Sequence, residues 1–190
     1  MKKSLGPNTL AQPTPVWLVG SYDAQDKPNI MTVAWGGICC SKPACLGVGV
    51  RKERHTHPAI PARGGFTVSV PSQDQIREAD FAGMVSGANV DKFVAAKLTA
   101  VKSSLVDAPY VGECPLVVEC RLYKSVDLGA HTLFIGEILD VKAEESALGA
   151  DGQIDLALLR PLIYSPGASR YFAVGEALGK GFSIGKSIGG

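Results

Sequence analysis

Arg51-Lys52-Glu53-Arg54-His55-Thr56-His57 concentrates three permanent positive charges, a hydroxyl and two imidazoles in seven residues. Arg and Lys make charge-assisted hydrogen bonds to phosphate oxygens, and a threonine hydroxyl adds a neutral donor. A charge run taken alone is ordinarily a solvated loop. What raises it here is the rest of the chain: 190 residues carry a formal net charge of only +1, yet much positive charge gathers in one place. No global basic field argues for nucleic acid, so an anion would have to be held by a local cluster. A second element, Ser86-Gly87-Ala88-Asn89-Val90-Asp91-Lys92-Phe93, sets Lys92 in the first turn of a short helix capped by Asn89 or Asp91. A cation there opposes the helix dipole, which an anionic ligand would explain.

The stretch Met31-Thr32-Val33-Ala34-Trp35-Gly36-Gly37-Ile38-Cys39-Cys40-Ser41-Lys42-Pro43 runs from a β-rich segment into two glycines and small residues. Glycine lets a backbone approach a flat ligand and frees N–H groups to point at it. The plainer reading is a Gly-Gly hairpin turn beside a buried tryptophan. His131-Thr132 opens a long strand at its turn, where a histidine is either solvated or within reach of a ligand edge. Cys40, with Lys42 nearby, is the thiol best placed to react, although burial in apolar surroundings is the ordinary fate of such a cysteine.

Elements that must position these groups are mostly strands. Twenty-two glycines and twelve prolines punctuate the chain and favour short strands and turns over long helices. Strands are expected over Val16–Tyr22 and Asn29–Trp35 as a hairpin, then over Cys45–Val50 and Phe66–Val70. The longest pair is Leu116–Val126 and His131–Lys142, joined by a turn at Asp127-Leu128-Gly129-Ala130. In the first of these, Leu116, Val118, Cys120 and Leu122 share one face while Glu119, Arg121 and Tyr123 share the other, as in a half-buried antiparallel strand. Helices are expected over Gln73–Met84 behind Ser72 as N-cap, over Val90–Leu98, and over Asp155–Arg160.

Apolar residues form 46% of the chain, enough for one core over residues 1–190, with a Gly-rich tail over 179–190 expected either to be flexible or to reach a partner subunit. Early strand connections are too short for crossover helices, so the fold class is mainly β, an antiparallel closed or partly closed barrel with a few short peripheral helices. No apolar run approaches the roughly 20 residues of a membrane helix, and no signal peptide follows Lys2-Lys3. A cytoplasmic protein with its five cysteines reduced is therefore expected.

Taken together in this order, Met31–Ser41, Val85–Phe93 and His131–Glu137 resemble the flavin-reductase-like FMN-binding split-barrel family, over nearly the whole chain from Thr14 to Glu176. The resemblance implies a homodimeric split barrel with FMN near the subunit boundary, acting as an electron carrier or a nicotinamide-dependent flavin reductase. It implies that Thr32, Ala34 and Trp35 lie along the flavin, with Cys39, Cys40 and Ser41 beside its ring or ribityl chain. Arg51, Arg54, Thr56 and Lys92 would hold the phosphate, and His131 would approach the cofactor. His57 stands where an aromatic or small residue is expected. A redox protein partner or NAD(P)H would be the electron donor.

No acid–base or nucleophilic group is conspicuous, as suits a site whose cofactor carries the chemistry. Three readings compete. An NAD(P)H-dependent flavin or ferric reductase is one; no G-x-G-x-x-G follows a strand, but split-barrel reductases do without it. A metal protein is disfavoured, because the cysteines lack zinc or iron–sulfur spacing and only His55 and His57 are close in sequence. A flavin-binding module without turnover fits the same residues.

Overall fold

Short apolar runs broken by Gly, Pro and polar turns fold into an antiparallel barrel in the computed structural model, which describes residues 1–188. Seven strands form the main sheet: β2 (Trp17–Tyr22), β3 (Pro28–Val33), β4 (Gly36–Ser41), β5 (Ala44–Arg51), β6 (Gly65–Val70), β9 (Leu116–Asp127) and β10 (His131–Ala143). Their order is β3-β2-β6-β9-β10-β5-β4, every neighbour antiparallel. The edges β3 and β4 are consecutive in sequence, joined only by Ala34 and Trp35. The Gly49 N–H of β5 donates to the Trp35 carbonyl at 2.7 Å, which carries the β4–β5 ladder one pair past Gly36, while among the described residues no pairing joins β3 to β4, so the barrel stays split there. A three-stranded sheet, β1 (Thr14–Pro15), β11 (Leu162–Ser165) and β12 (Arg170–Ala173), and a hairpin, β7 (Ala100–Lys102) with β8 (Pro109–Val111), lie outside it.

Alternation along β2 and β3 divides the apolar residues between two cores. Val19, Met31 and Val33 turn inward with Leu46, Val48, Val50, Phe66, Val68 and Phe134 to fill the barrel. Leu18 and Ile30 turn outward, against Ala79, Ala82, Phe93 and Leu162. Both faces of these strands are therefore buried, and each large apolar side chain so covered contributes about 1.5–3 kcal/mol. Inside the barrel the fit is close at Gly136, where a Cβ would come within 2.7 Å of both the Cys120 side chain and the Phe66 ring.

Helices cover the outer core. Ser72 and Gln75 form a capping box, the Ser72 N–H donating to Gln75 Oε1 at 2.9 Å. A 3-10 turn over Gln73–Gln75 then leads into α2 (Ile76–Met84), which buries Ala79 and Ala82. The helix expected over Val90–Leu98 is only α3 (Lys92–Ala95), capped by Asp91 and stopped where Lys97 takes φ +54°. Asp155 caps α4 (Leu156–Leu159). One helix has no counterpart in the sequence reading: the basic run passes directly into α1 (Thr56–Arg63), which Gly64 ends at φ +68°.

Glu119 departs from the half-exposed pattern expected of β9. It is fully buried, because the chain from Ser103 to Tyr110 folds over the outer face of that strand. The Ser103 hydroxyl and the Lys142 ammonium both donate to its carboxylate. The Gly-rich tail can be followed through a 3-10 turn at Ile184–Ile188; the last part of the 179–190 segment lies outside the described residues. No helix among the described residues is long and apolar enough to cross a membrane.

Candidate functional site

Where β3 ends and the chain crosses the seam, a cleft of about 440 Å³ opens. Thr32, Ala34 and Trp35 form its floor, Arg51, Arg54 and His131 one wall, and Asp80, Gly83, Met84, Tyr164 and Tyr171 the other. The far wall is tied down at two points. The Thr32 hydroxyl donates to the Ala79 carbonyl of α2. The Tyr171 hydroxyl donates to Asp80 Oδ1 at 2.8 Å, linking β12 to the same helix. Burial, followed by that contact with Asp80, holds the Tyr171 hydroxyl well above its ordinary pKa, so it stays a donor.

Arg54 and Met31 also line a smaller pocket of about 90 Å³ that adjoins the cleft, together with His55, Thr56, Ser86, Gly87 and Lys92. Lys92 is only 3% exposed and has no carboxylate partner among the described residues. Its ammonium donates to the carbonyls of Ile30 at 2.8 Å and Ala82 at 2.7 Å, leaving one of three protons uncommitted. Burial, with a smaller push from Arg54, lowers its pKa to about 8. Beside it the buried Thr56 hydroxyl accepts from Asn29 Nδ2 at 2.8 Å, so its own proton is free to point elsewhere. Asn29 Oδ1 is buried without a partner. A Cβ at Gly87 would stand 2.1 Å from that oxygen and 2.9 Å from the His55 ring, so only glycine fits there.

A second cleft of about 420 Å³ lies on the opposite side of Trp35 and His131 and is mostly apolar: Gly36, Gly37, Ile38, Cys39, Gly47, Leu128 and Leu133 line it. The Trp35 and His131 rings are 3° from parallel with centroids 6.4 Å apart, and both border both clefts. His131 owes this place to register, since it pairs with Arg51 across β10 and β5.

Of the residues singled out in the sequence, Thr32, Ala34, Trp35, Arg51, Arg54 and His131 meet in the main cleft. Arg54, Thr56 and Lys92 meet in the small pocket, and Cys39 lies in the apolar one. Cys40 and Ser41 sit exposed at the end of the β4–β5 hairpin, outside the linings of these three pockets. The basic run is partly neutralised by its neighbours: Arg51 pairs with Glu53 at 2.8 Å and Lys52 with Asp127 at 2.7 Å. Arg54 has no ion pair among the described residues and points its charge at the junction of cleft and pocket. His55 stands 3.4 Å from Asp23, and His57 hydrogen-bonds the Thr132 hydroxyl at 2.8 Å with its ring edge-on to Phe134. Both are thereby given structural work. No cluster of three His, Cys, Asp or Glu able to hold a metal occurs among the described residues.

Sequence reasoning missed Asn29, Asp80, Tyr164 and Tyr171. A polar amide inside an otherwise apolar β run was the one available signal for Asn29. Asp80 and the tyrosines come from segments far apart in the chain and carried none.

Comparison with known proteins agrees with this geometry. The flavoredoxin of Desulfovibrio vulgaris (Miyazaki F) is 52% identical, with a TM-score of 0.94 over 98% of this chain and 100% of that one. An FMN-binding domain of a flavin reductases-like enzyme from Shewanella baltica is 25% identical, with a TM-score of 0.75 over 88% of this chain and 89% of that one. A ferric-chelate reductase (NAD(P)H) of Archaeoglobus fulgidus is 32% identical over 108 residues, which is 56% of this chain and only 63% of the relative's length. The flavin reductase like domain matches residues 10–173, most of the chain and all of the barrel with its clefts. With the split antiparallel barrel, the cleft at its seam and this match in hand, the chain belongs to the flavin reductase-like family.

Proposed function

We propose that the protein binds FMN across the cleft and its adjoining pocket and serves as a flavin-dependent oxidoreductase of the flavoredoxin type, an electron carrier. The observation that carries this is Lys92, a buried ammonium without a carboxylate, set with Thr56 and Arg54 around a pocket too small for a ring system and suited to a phosphate. FMN would supply one- and two-electron chemistry there; the protein supplies binding, orientation and access. In this reading Arg54, Thr56 and Lys92 hold the phosphate, the unpaired Asn29 amide oxygen and Gly87 shape its cradle, and Thr32, Ala34 and Trp35 lie along the flavin. Arg51 and His131 border its edge. The resemblance sets Cys39, Cys40 and Ser41 beside the ring or ribityl chain, whereas here Cys39 lines the apolar cleft and Cys40 and Ser41 lie outside the linings of the three pockets.

Residues 1–190 act as one domain in this reading, supported by a site drawn from the seven-stranded sheet, the outer β11–β12 hairpin and helices α1, α2 and α3 together. A cytoplasmic homodimer exchanging electrons with a redox protein partner is part of the same proposal. The likeness to a ferric-chelate reductase supports a second reading, direct reduction by NAD(P)H. A non-catalytic flavin module would show neither activity.

Two measurements separate these readings. FMN is expected to bind far more tightly than riboflavin, and Arg54→Ala to weaken FMN binding tenfold or more, since a hydrogen bond to a charged group is worth about 1.5–3 kcal/mol. Equal affinities for FMN and riboflavin would remove the phosphate pocket from the proposal. Anaerobic titration of the yellow protein then decides the donor. Bleaching only by dithionite or a reduced carrier protein supports the carrier, and rapid bleaching by NADH or NADPH supports the reductase.

A further inference from the structure

The β4–β5 hairpin holds three of the five cysteines in seven residues. Its register pairs Ile38 with Leu46 and then Cys40 with Cys45, so Cys39 is an extra residue in β4. A bulge of this kind sets two residues of one strand opposite one of the other, here Cys39 and Cys40 opposite Cys45. Residues paired across an antiparallel ladder stand about 4.5–5.5 Å apart at Cα, inside the window of about 4.4–6.8 Å that a disulfide requires. Cys39 is turned toward the apolar cleft, where its sulfur would lie 3.9 Å from a Cβ placed on Gly47. The other two thiols differ in access: Cys40 is exposed and Cys45 only 2% exposed. Burial, then the nearness of Cys40 and Cys39, raises the Cys45 thiol above its ordinary pKa.

We propose that Cys40 and Cys45 form a reversible thiol–disulfide pair, with Cys40 reacting first and Cys45 resolving. A peroxide is the oxidant. The Cys40 sulfur, as thiolate, attacks a peroxide oxygen; the O–O bond breaks, hydroxide leaves and an S–OH bond forms. The Cys45 sulfur then displaces hydroxide from that sulfur, so S–O breaks and S–S forms, and the Cys45 proton leaves as water. In sum, two thiols and one hydrogen peroxide give one disulfide and two waters. A solvent-reachable disulfide across a short hairpin is of the readily reduced kind, which makes the step reversible by cellular thiols. The consequence is mechanical. Among the described residues β4 is an edge strand paired with β5 alone, and its first residues, Gly36 and Gly37, line the apolar cleft beside Trp35. The disulfide pins this strand, and the inference does not depend on what the clefts hold.

The full-length protein is treated with stoichiometric hydrogen peroxide, denatured, alkylated and weighed intact. Two of the five thiols are expected to disappear, with loss of the mass of two hydrogens, no disulfide-linked dimer on a non-reducing gel, and full recovery with dithiothreitol. Cys39→Ser should behave like the wild type. Cys40→Ser, at an exposed position where folding is not at stake, should keep all four remaining thiols. Cys45→Ala should leave Cys40 as a sulfenic acid that dimedone captures. Five free thiols in the oxidised wild type would overturn the proposal. So would loss of two thiols in Cys40→Ser, or a dimer bridged between copies.

Discussion

Two buried charges of this barrel are treated in opposite ways. Glu119 is fully buried and fully answered: Lys142 and the Ser103 hydroxyl both donate to it. Burial alone would raise its carboxyl, but those partners outweigh burial and hold it below the ordinary range. Lys92 is buried to nearly the same degree, yet its neighbours are two backbone carbonyls and a second cation, Arg54, and its pKa falls to about 8. A charge answered within the fold locks two segments together. One left unanswered costs stability, and its persistence beside a pocket is what the proposed phosphate site rests on.

Substitution of each lysine tests that division most directly. Lys92→Met should weaken FMN binding by about ten- to a hundredfold, the value of a lost charge-assisted hydrogen bond in a desolvated site. Lys142→Met should leave FMN affinity unchanged and lower the melting temperature instead, because Glu119 is left buried with the Ser103 hydroxyl but without its cation. Breaking a fully buried pair costs about 3–5 kcal/mol. Lys142 is 40% exposed, so about 2 kcal/mol is the better expectation, or roughly 4–8 °C for a chain of this size. Isothermal titration and a thermal melt on both variants decide the matter. A Lys92→Met protein that binds FMN normally breaks the comparison.

Acidity offers a second handle, smaller because it acts on the same group without removing it. Lys92 has a folded-state pKa near 8, below the 10.5 of a free lysine, so between those values the unfolded chain binds a proton that the empty folded protein does not. Stability of the FMN-free protein should therefore rise as pH climbs from about 8 to about 10.5. Binding of an anion favours the ammonium, so FMN affinity should move the other way and fall above about pH 8, by at most about tenfold per pH unit for a single linked proton. In Lys92→Met both slopes should flatten, which a titration series across that range would show.

How much of this was legible in the sequence follows from the same pair. Lys92 was noticed because a first-turn lysine opposes the helix dipole. The structure gives a different reason for its importance: α3 has only four residues, and the ammonium turns inward to Ile30 and Ala82. Glu119 was misplaced because period-two alternation sorts side chains onto two faces but does not say what covers the outer one. The β7–β8 hairpin that buries it has only three residues in each strand, too few to announce itself. The barrel strands were readable because their apolar runs and turn residues agree, as at Phe66–Val70 and along His131–Lys142. The basic run was weighed only as an anion-holding cluster or a solvated loop, and nothing in its charges announced that Thr56 begins α1, a helix that contains Pro58 and Pro61. What escaped altogether, Asp80 with Tyr164 and Tyr171, is assembled purely by tertiary contact.

That missed cluster supplies the intermediate case. Asp80 sits on the rim of the cleft, half-buried, and is answered on one oxygen only, by the Tyr171 hydroxyl at 2.8 Å. It should accordingly behave partly as Glu119 does and partly as Lys92 does. Tyr171→Phe keeps the ring that packs on Tyr164, with centroids 5.2 Å apart, and deletes only the donor. A partly exposed hydrogen bond of this sort is worth about 1 kcal/mol, so the melting temperature should drop by about 2–4 °C. The β11–β12 hairpin forms part of one wall of the cleft, and freeing it from α2 should also speed FMN release by a few-fold, measurable by stopped-flow exchange against an excess of a spectrally distinguishable FMN analogue. A variant that loses stability with an unchanged release rate would place the Tyr171–Asp80 bond with Glu119 as scaffold alone. One that releases FMN faster at unchanged stability would place it with Lys92, in the binding site proper.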